Sequence, residues 1–365
     1  MMIQKAARIV KEHYDLGELI DAEEVLGGYC NQSFALLFEK HGRRFKYLVR
    51  RYNPKTEEKE IKFEHALVRH LKKRGFDMAA DVISNKNGRT YVNEKLIGEG
   101  YATNELWAVF EYLEGEDRYS WIDTHIAQED MISAAEVLAR LHIAGHNFYK
   151  PPEADRVQPP IMDFLPTFRH VYTEFTQKAG NTNFDQFFME HRKDILNTVD
   201  EILIPEPNLS KLPQLPIHCD YHQGNLKYQN SHVIGVFDFD WSKIDLRLFD
   251  LALALVYFSA CWEGQAAGSL TLDKYRLFLQ TYNRTCELTA DPGPLTELEK
   301  KYLPSLLAAG NLFVLHWTIV DFYSLENPDD AEYLKYLNHG ITLMSWIEAH
   351  KDQLDHITAQ TCTQK

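Results

Sequence analysis

The stretch His218-Cys219-Asp220-Tyr221-His222-Gln223-Gly224-Asn225, followed by Val233-Ile234-Gly235-Val236-Phe237-Asp238, constrains this chain more than any other. It reads His-x-Asp-x-x-x-x-Asn, then an apolar, strand-like run that ends in a carboxylate. A single Asp in a turn is usually only a turn former. Three oxygen-bearing side chains in this order, the last delivered by a strand, ask for a chemical reason. Asp220 is suited to accept or orient a hydroxyl proton. Asn225 and Asp238 carry hard oxygen donors of the kind that magnesium takes. A fold that uses this set must hold a loop rigidly beside a strand.

Length and composition bound the rest. A chain of 365 residues exceeds what a single core usually supports, so two lobes are expected, and 45% hydrophobic residues supply ample core for both. The five cysteines are scattered and odd in number, without a Cys-x-x-Cys, which fits a reduced cytoplasmic protein and argues against structural zinc. The N-terminus carries no apolar core with a cleavage site. The apolar run from Leu251 to Ala260 is too short to span a bilayer, and no longer one is expected. A net charge of −14 speaks against a nucleic-acid partner. That charge is unevenly placed: residues 1–113 sum to +2 and residues 114–365 to −16.

The segment from His218 to Leu255 resembles the phosphotransferase family of small-molecule kinases, which includes aminoglycoside phosphotransferases, choline and ethanolamine kinases, and protein-kinase-like homoserine kinases. The residues that carry the resemblance are His218, Asp220 and Asn225, then Phe237-Asp238-Phe239-Asp240, then Asp250-Leu251-Ala252. Further matches extend it over most of residues 20–260. It implies an α+β, two-lobed protein-kinase-like fold: an N-lobe of antiparallel sheet plus helix over 1–113, and a larger, mostly helical C-lobe over 114–350. Residues 351–365 read as a polar tail. Two departures from protein kinases matter. Cys219 stands where those carry an Arg that docks a phosphorylated activation loop, and Asp250 follows Asp238 too soon for such a loop. The likeness is therefore to kinases of small molecules.

The resemblance assigns roles along the N-lobe. Gly27-Gly28, in a turn after a lead-in helix over 3–20, would cover nucleotide phosphates with backbone N–H groups. No Gly-x-x-x-x-Gly-Lys-Ser/Thr is present, so a P-loop is ruled out. Arg50 falls where the family's strand cation holds the α/β-phosphates, with Arg51 on the opposite face; the competing reading makes either a solvated strand cation. Within the helical pattern of Glu57 to Gly75, Glu64 sits among apolar positions and is expected to pair with Arg50, while Glu57, Glu58 and Glu60 look solvated. Val82 to Ser84 and Arg89 to Val92 read as a hairpin around Asn87-Gly88. Leu106 to Leu113 is the lobe's last strand, and the family binds adenine on the backbone here, at Glu111 to Leu113.

In the C-lobe, Asp220 is the expected catalytic residue and Asn225 and Asp238 the metal ligands, with ATP and Mg2+ as the implied cofactors. Asp240 has two readings, a second metal contact or a stabiliser of its loop. His218 reads as structural, bonding backbone or Asp250; His222 and Gln223 fill the motif's variable interior and are candidates for facing substrate. His142, four residues before His146, lacks the Glu of a zinc motif and reads as a core histidine. The expected activity is transfer of the γ-phosphate to the hydroxyl of a small molecule that also bears an amine, because an acidic lobe attracts cations. Trp241, Tyr257, Trp262, Trp317 and Tyr323 are candidates for facing the ammonium group, with core packing as the alternative for each. Asp245 and Asp321 are candidate counter-charges, and Arg247 and Lys243 are available for an acceptor's carboxylate. The alternative from another class is a kinase-fold binding or structural protein without activity, distinguished by phosphoryl transfer to a panel of acceptors.

Overall fold

Alternation with a period of two decides the first sheet. In β5 (Tyr101–Glu111), Trp107 and Val109 turn to one face and Leu106, Ala108 and Phe110 to the other, and all five are buried. A strand apolar on both faces needs a cover on each. The helix Met2–His13 supplies one, packing Ala6, Ile9 and Val10 against Phe34, Leu36, Phe38, Val49 and Trp107. On the other face Ile61, from the helix Glu58–Lys73, joins Tyr52, Val82, Leu106, Ala108 and Phe110. With β1 (Glu18–Val25), β2 (Gln32–Lys40), β3 (Arg43–Arg51) and β4 (Tyr91–Gly98), the sheet has the order β1-β2-β3-β5-β4, antiparallel throughout.

This computed structural model describes residues 2–25, 31–98 and 101–361, with nothing said of the side chains of 96–98 and 101–103. The chain forms two compact units. The first comprises Met1–Glu116, Phe148–Val157 and Ile234–Asp240; the second comprises Asp117–Asn147, Gln158–Val233 and Trp241–Lys365. A break at 113 does not anticipate that 148–157 and 234–240 return to the first unit.

Three local expectations in the first unit need correction. The lead-in helix ends at His13 rather than 20, and Gly17, at φ +103°, turns the chain into β1. A Cβ on Gly17 would stand 2.3 Å from the carbonyl oxygen of Glu39, so only glycine fits. The turn at Asn87-Gly88 does form, with Gly88 N donating to Asn85 O at 2.9 Å, but it closes no hairpin. Residues 91–98 pair with β5 instead, and Val82 keeps a single bridge to Phe110. Glu58 and Glu60 are not solvated: Glu58 accepts from Tyr91 Oη and Asn93 Nδ2, each at 2.6 Å.

The second unit is built on helices. All of Arg247–Ser259 is buried, which explains its unbroken apolar run. The helix Glu297–Ser324 crosses it at Gly310, where a Cβ would lie 3.1 Å from Leu253 Cα. Close approach of two helix backbones requires that glycine. Contrary to the expectation drawn from the apolar runs, Glu297–Ser324 is long and apolar enough to cross a membrane, but 78% of its most apolar window is buried in the fold. It is a core helix. The expected polar tail is also corrected: Lys351–Thr361 is a helix that buries Leu354, Ile357 and Thr358.

Candidate active site

In the first unit the register of β3 sorts two adjacent arginines. Val49 faces the helix Met2–His13, so Arg50 must face the helix Glu58–Lys73. There its Nη1 donates to Glu64 Oε1 at 3.1 Å and its Nη2 to Asp238 Oδ1 at 3.1 Å. Arg51, on the other face, pairs with Glu105 at 2.8 Å. Burial works against the charge of Arg50, but the carboxylates of Asp238 and Glu64 overcome it and hold the guanidinium protonated. Glu64 also accepts from Tyr52 Oη at 2.8 Å. Even so, burial leaves its carboxyl above the ordinary range, because Arg50 only partly offsets the lost hydration.

Asp238 ends the strand His232–Val236 two residues on, with φ at +68°, a left-handed conformation that a non-glycine residue adopts at a cost. Its side chain keeps 34% of its surface exposed. Asp240, half-buried, lies beside it. Asn31 Nδ2 donates to Asp240 Oδ2 at 2.7 Å, and Arg156 donates to its backbone carbonyl. The other carboxylate oxygen, Oδ1, has no partner among the described residues. Burial and the charge of Asp238 push Asp240 up to about 7 against the pull of Arg50 and Arg156.

The loop of the second unit hangs on Asp250. This carboxylate, fully buried at the start of Arg247–Ser259, accepts from His218 N at 2.9 Å and from Cys219 N at 2.8 Å. His142 Nε2 bonds it at 3.0 Å, and Nδ1 meets Tyr282 Oη at 2.7 Å. Burial would raise Asp250, yet these donors hold it below the usual carboxylate range. Anchored so, Cys219 sits at φ +65° and turns Asp220 outward. Asp220 accepts from Asn225 Nδ2 at 3.0 Å and from Tyr257 Oη at 3.2 Å, with His222 Nε2 at 3.6 Å. Burial opposes its charge, but His222, His218 and Tyr257 together keep it ionised, below the ordinary range. Its side chain is 27% exposed.

Beside Asp220 stands a group of rings. Tyr257 faces His222 at 5.2 Å and Trp121 at 6.5 Å between centroids. Trp121 in turn meets Trp262 at 5.1 Å and Tyr336 at 5.2 Å. Gln223 holds Trp121 from the catalytic loop, donating to its carbonyl at 3.2 Å.

The remaining sequence candidates divide. Gly27 and Gly28 lie outside the described residues. Glu111 is occupied structurally: its carboxylate accepts from Asp81 N at 3.1 Å and pairs with Lys72 at 3.0 Å. Leu113 is half-buried just past β5. Arg247 and Lys243 are not available to a ligand. Arg247 is fully buried against Glu299 at 2.6 Å, and Lys243 is buried against Asp245 at 3.0 Å. That pairing also removes Asp245 as a counter-charge. Trp241 and Trp317 pack on each other at 4.9 Å, and Tyr323 stacks on Phe175 at 4.7 Å while bonding Asp185. Asn31, Arg156 and Trp121 escaped the sequence reading, since each sits in a loop with no periodic pattern around it. His142 was legible in position, at a helix end, but not as a partner of Asp250.

A sheet covered by a helix on each face, a mostly helical second unit and the ordered set Asp220, Asn225, Asp238 define a protein-kinase-like phosphotransferase of small molecules. The profile of the phosphotransferase enzyme family matches residues 21–288, and the chain belongs to that family. It is a kinase whose acceptor is an alcohol group on a small molecule. A homoserine kinase from Bradyrhizobium sp. (strain ORS 278) is 26% identical over 89% of both chains. One from Bartonella henselae is 25% identical over 85% of this chain and 84% of its own. Among solved structures, a microcompartment-associated aminopropanol kinase aligns with a TM-score of 0.65 at 13% identity, covering 96% of this chain and 98% of the other. A choline kinase from Cryptosporidium parvum aligns with a TM-score of 0.63 at 14% identity over 98% of both. At these identities the structural likenesses show the fold.

Proposed function

We propose that this protein transfers the γ-phosphate of ATP, with magnesium, to the hydroxyl of a small amine-bearing alcohol, and that homoserine is the first compound to test. The observation that carries the proposal is Asp220: an ionised, partly exposed carboxylate, fixed from two sides by Asn225 and Tyr257, with aromatic rings beside it. A hydroxyl donating to that carboxylate would be oriented for in-line attack and relieved of its proton as the phosphoryl group transfers. Arg50, held by Glu64, is assigned to the nucleotide phosphates, since a guanidinium can grip phosphate bidentately. Gly27, Gly28 and the backbone at Glu111 and Leu113 keep the nucleotide roles that the resemblance gives them.

The donor set fits magnesium. No group of three or more His, Cys, Asp or Glu side chains is arranged to hold a metal by itself among the described residues. That suits an ion that draws most of its ligands from phosphate and water. Asn225 spends its amide nitrogen on Asp220, which leaves its amide oxygen for a cation. Asp238 is the carboxylate assigned to the ion. The unpartnered Oδ1 of Asp240 supports its reading as a second contact. When bound, the metal would neutralise the phosphates.

The homoserine kinases that resemble this chain supply the acceptor class, and the ring cluster beside Asp220 supports an amine on it. The test is ATP consumption with magnesium across homoserine, ethanolamine, choline, 3-aminopropan-1-ol, aminoglycosides and neutral sugars. Turnover of an amine-bearing alcohol is the expected result. Preference for a neutral sugar over every amine overturns the acceptor assignment. ATP and magnesium that neither raise the melting temperature nor support any transfer overturn the activity.

A further inference from the structure

Behind the rings beside Asp220 lies a cavity of about 10 Å³, lined by Tyr257, Trp262, Asn311, Thr318, Tyr336 and His339 among others. This is room for one group the size of a water molecule. Tyr257 is the link to the chemistry, because the same side chain that walls the cavity donates to Asp220 at 3.2 Å. His339 projects from the helix Asp330–Ala349 and stacks flat on Trp262, with centroids 3.5 Å apart and planes 9° from parallel. It is 7% exposed, and neither ring nitrogen has a hydrogen-bond partner among the described residues. Buried polar groups are rarely left so. The other polar groups of the wall are engaged: Asn311 Nδ2 donates to Gly340 O at 2.8 Å and Thr318 Oγ1 to Val314 O at 3.1 Å.

Resting on the acceptor class proposed above, we infer that His339 is a specificity-determining residue that selects a primary ammonium over a quaternary one. Two observations carry this. A neutral imidazole offers one lone pair, which an N–H of a primary ammonium can meet and a trimethylammonium, having no N–H, cannot. The cavity admits one heavy-atom-sized group, whereas three methyl groups demand several times that room. The rings of Trp262 and Tyr336 line the same pocket. Burial pushes His339 down to about 4, so its lone pair is free at neutral pH. Asn311, through its bond to Gly340, fixes the helix turn from which His339 projects.

The experiment compares kcat/KM for homoserine, ethanolamine and 3-aminopropan-1-ol with their N,N,N-trimethyl counterparts, in the wild-type protein and in His339→Phe. Phenylalanine keeps the stack on Trp262 and removes both nitrogens. The expected wild-type preference for the primary amine is about 10- to 100-fold, the scale of one hydrogen bond from a charged donor. In His339→Phe that preference should shrink mainly through KM of the acceptor, with KM for ATP unchanged. His339→Gln, which keeps a hydrogen-bonding group, should restore part of it and covers the case in which the Phe variant fails to fold. Equal use of primary and trimethylated acceptors by the wild type overturns the inference. So does a His339→Phe protein that only melts lower while keeping its preference, because His339 would then merely hold a structural water. Wild-type protein that phosphorylates sugars and no amine removes the proposed acceptor class itself, and that outcome is read without any variant.

Discussion

Glu64 and Asp250 are both buried carboxylates, yet burial lifts one above the ordinary range while its partners hold the other below it. The difference is the number and kind of donors. Asp250 collects two backbone N–H groups and His142, all within 3.0 Å. Glu64 has one guanidinium, shared with Asp238, and one tyrosine hydroxyl. A hydrogen bond to a charged group returns about 1.5–3 kcal/mol, so three donors can outweigh desolvation where one shared cation does not. The contrast separates a finished structural anchor from a carboxyl whose partners offset burial only in part. Asp250 freezes a loop. Around Arg50, the carboxyls of Glu64 and Asp240 are compensated only in part, and both stand above the ordinary range.

The largest expected effect lies on the loop that Asp250 holds. Asp220→Ala should lower turnover by about 10²–10⁴ while ATP binding, read by thermal shift, persists. Near-normal turnover on a verified acceptor would remove Asp220 from the chemistry. The comparison itself is broken or sharpened by isosteric neutralisation. Asp250→Asn turns an acceptor into a donor facing backbone N–H groups, and should cost about 3 kcal/mol in denaturant unfolding. Glu64→Gln keeps its amide oxygen for Arg50 and turns its amide nitrogen toward Tyr52 Oη, which can accept, while Arg50 retains Asp238, so its cost should be smaller, about 1–2 kcal/mol. Equal losses would show that the two carboxylates are equally well compensated.

Next in size is the pair of strand arginines. Arg50→Ala should raise KM for ATP by about tenfold or more, the loss of one charge-assisted contact, without changing which acceptor is used. Arg51→Ala breaks a partly exposed pair with Glu105 and should cost about 0–1 kcal/mol of stability with no change in ATP kinetics. A defect confined to the Arg51 variant would reverse the assignment.

What the sequence discloses and what it hides follows the same division. Asp220, Asn225 and Asp238 stand out as candidates because they fall within one short segment at a spacing that the family shares. Arg50 against Glu64 is legible because a period of two and a period of 3.6 choose their faces. Asp245, Lys243 and Arg247 mislead for the opposite reason. A charged residue near a motif reads as available, and only tertiary contacts 52 residues away, as with Arg247 and Glu299, reveal that it is spent. The turn at Asn87-Gly88 misleads similarly, since a local hairpin signal lost to a longer pairing that completes the sheet. Asn31 and Arg156 carry no pattern at all; their roles exist only once Asp240 is placed between them.

The effect expected to be smallest near neutral pH concerns protons and rests on one kind of residue found in both units. His65 in the first unit and His316 in the second are buried, and burial pushes each down to about 3. An unfolded histidine titrates near 6.5. Between those values the unfolded chain binds a proton that the native state refuses, so stability must fall as pH drops from about 6.5 toward 3. Each histidine adds up to about 1.4 kcal/mol per pH unit within that window. His316 stacks on Phe168 at 3.9 Å with planes 7° apart, so His316→Phe preserves much of the packing. Denaturant unfolding of that variant between pH 4 and 6 should show a stability–pH slope shallower by about one proton. An unchanged slope would mean that His316 accepts its proton in the folded state. A steeper slope would mean that the native state holds a charged imidazole there, contrary to its burial among aromatic rings.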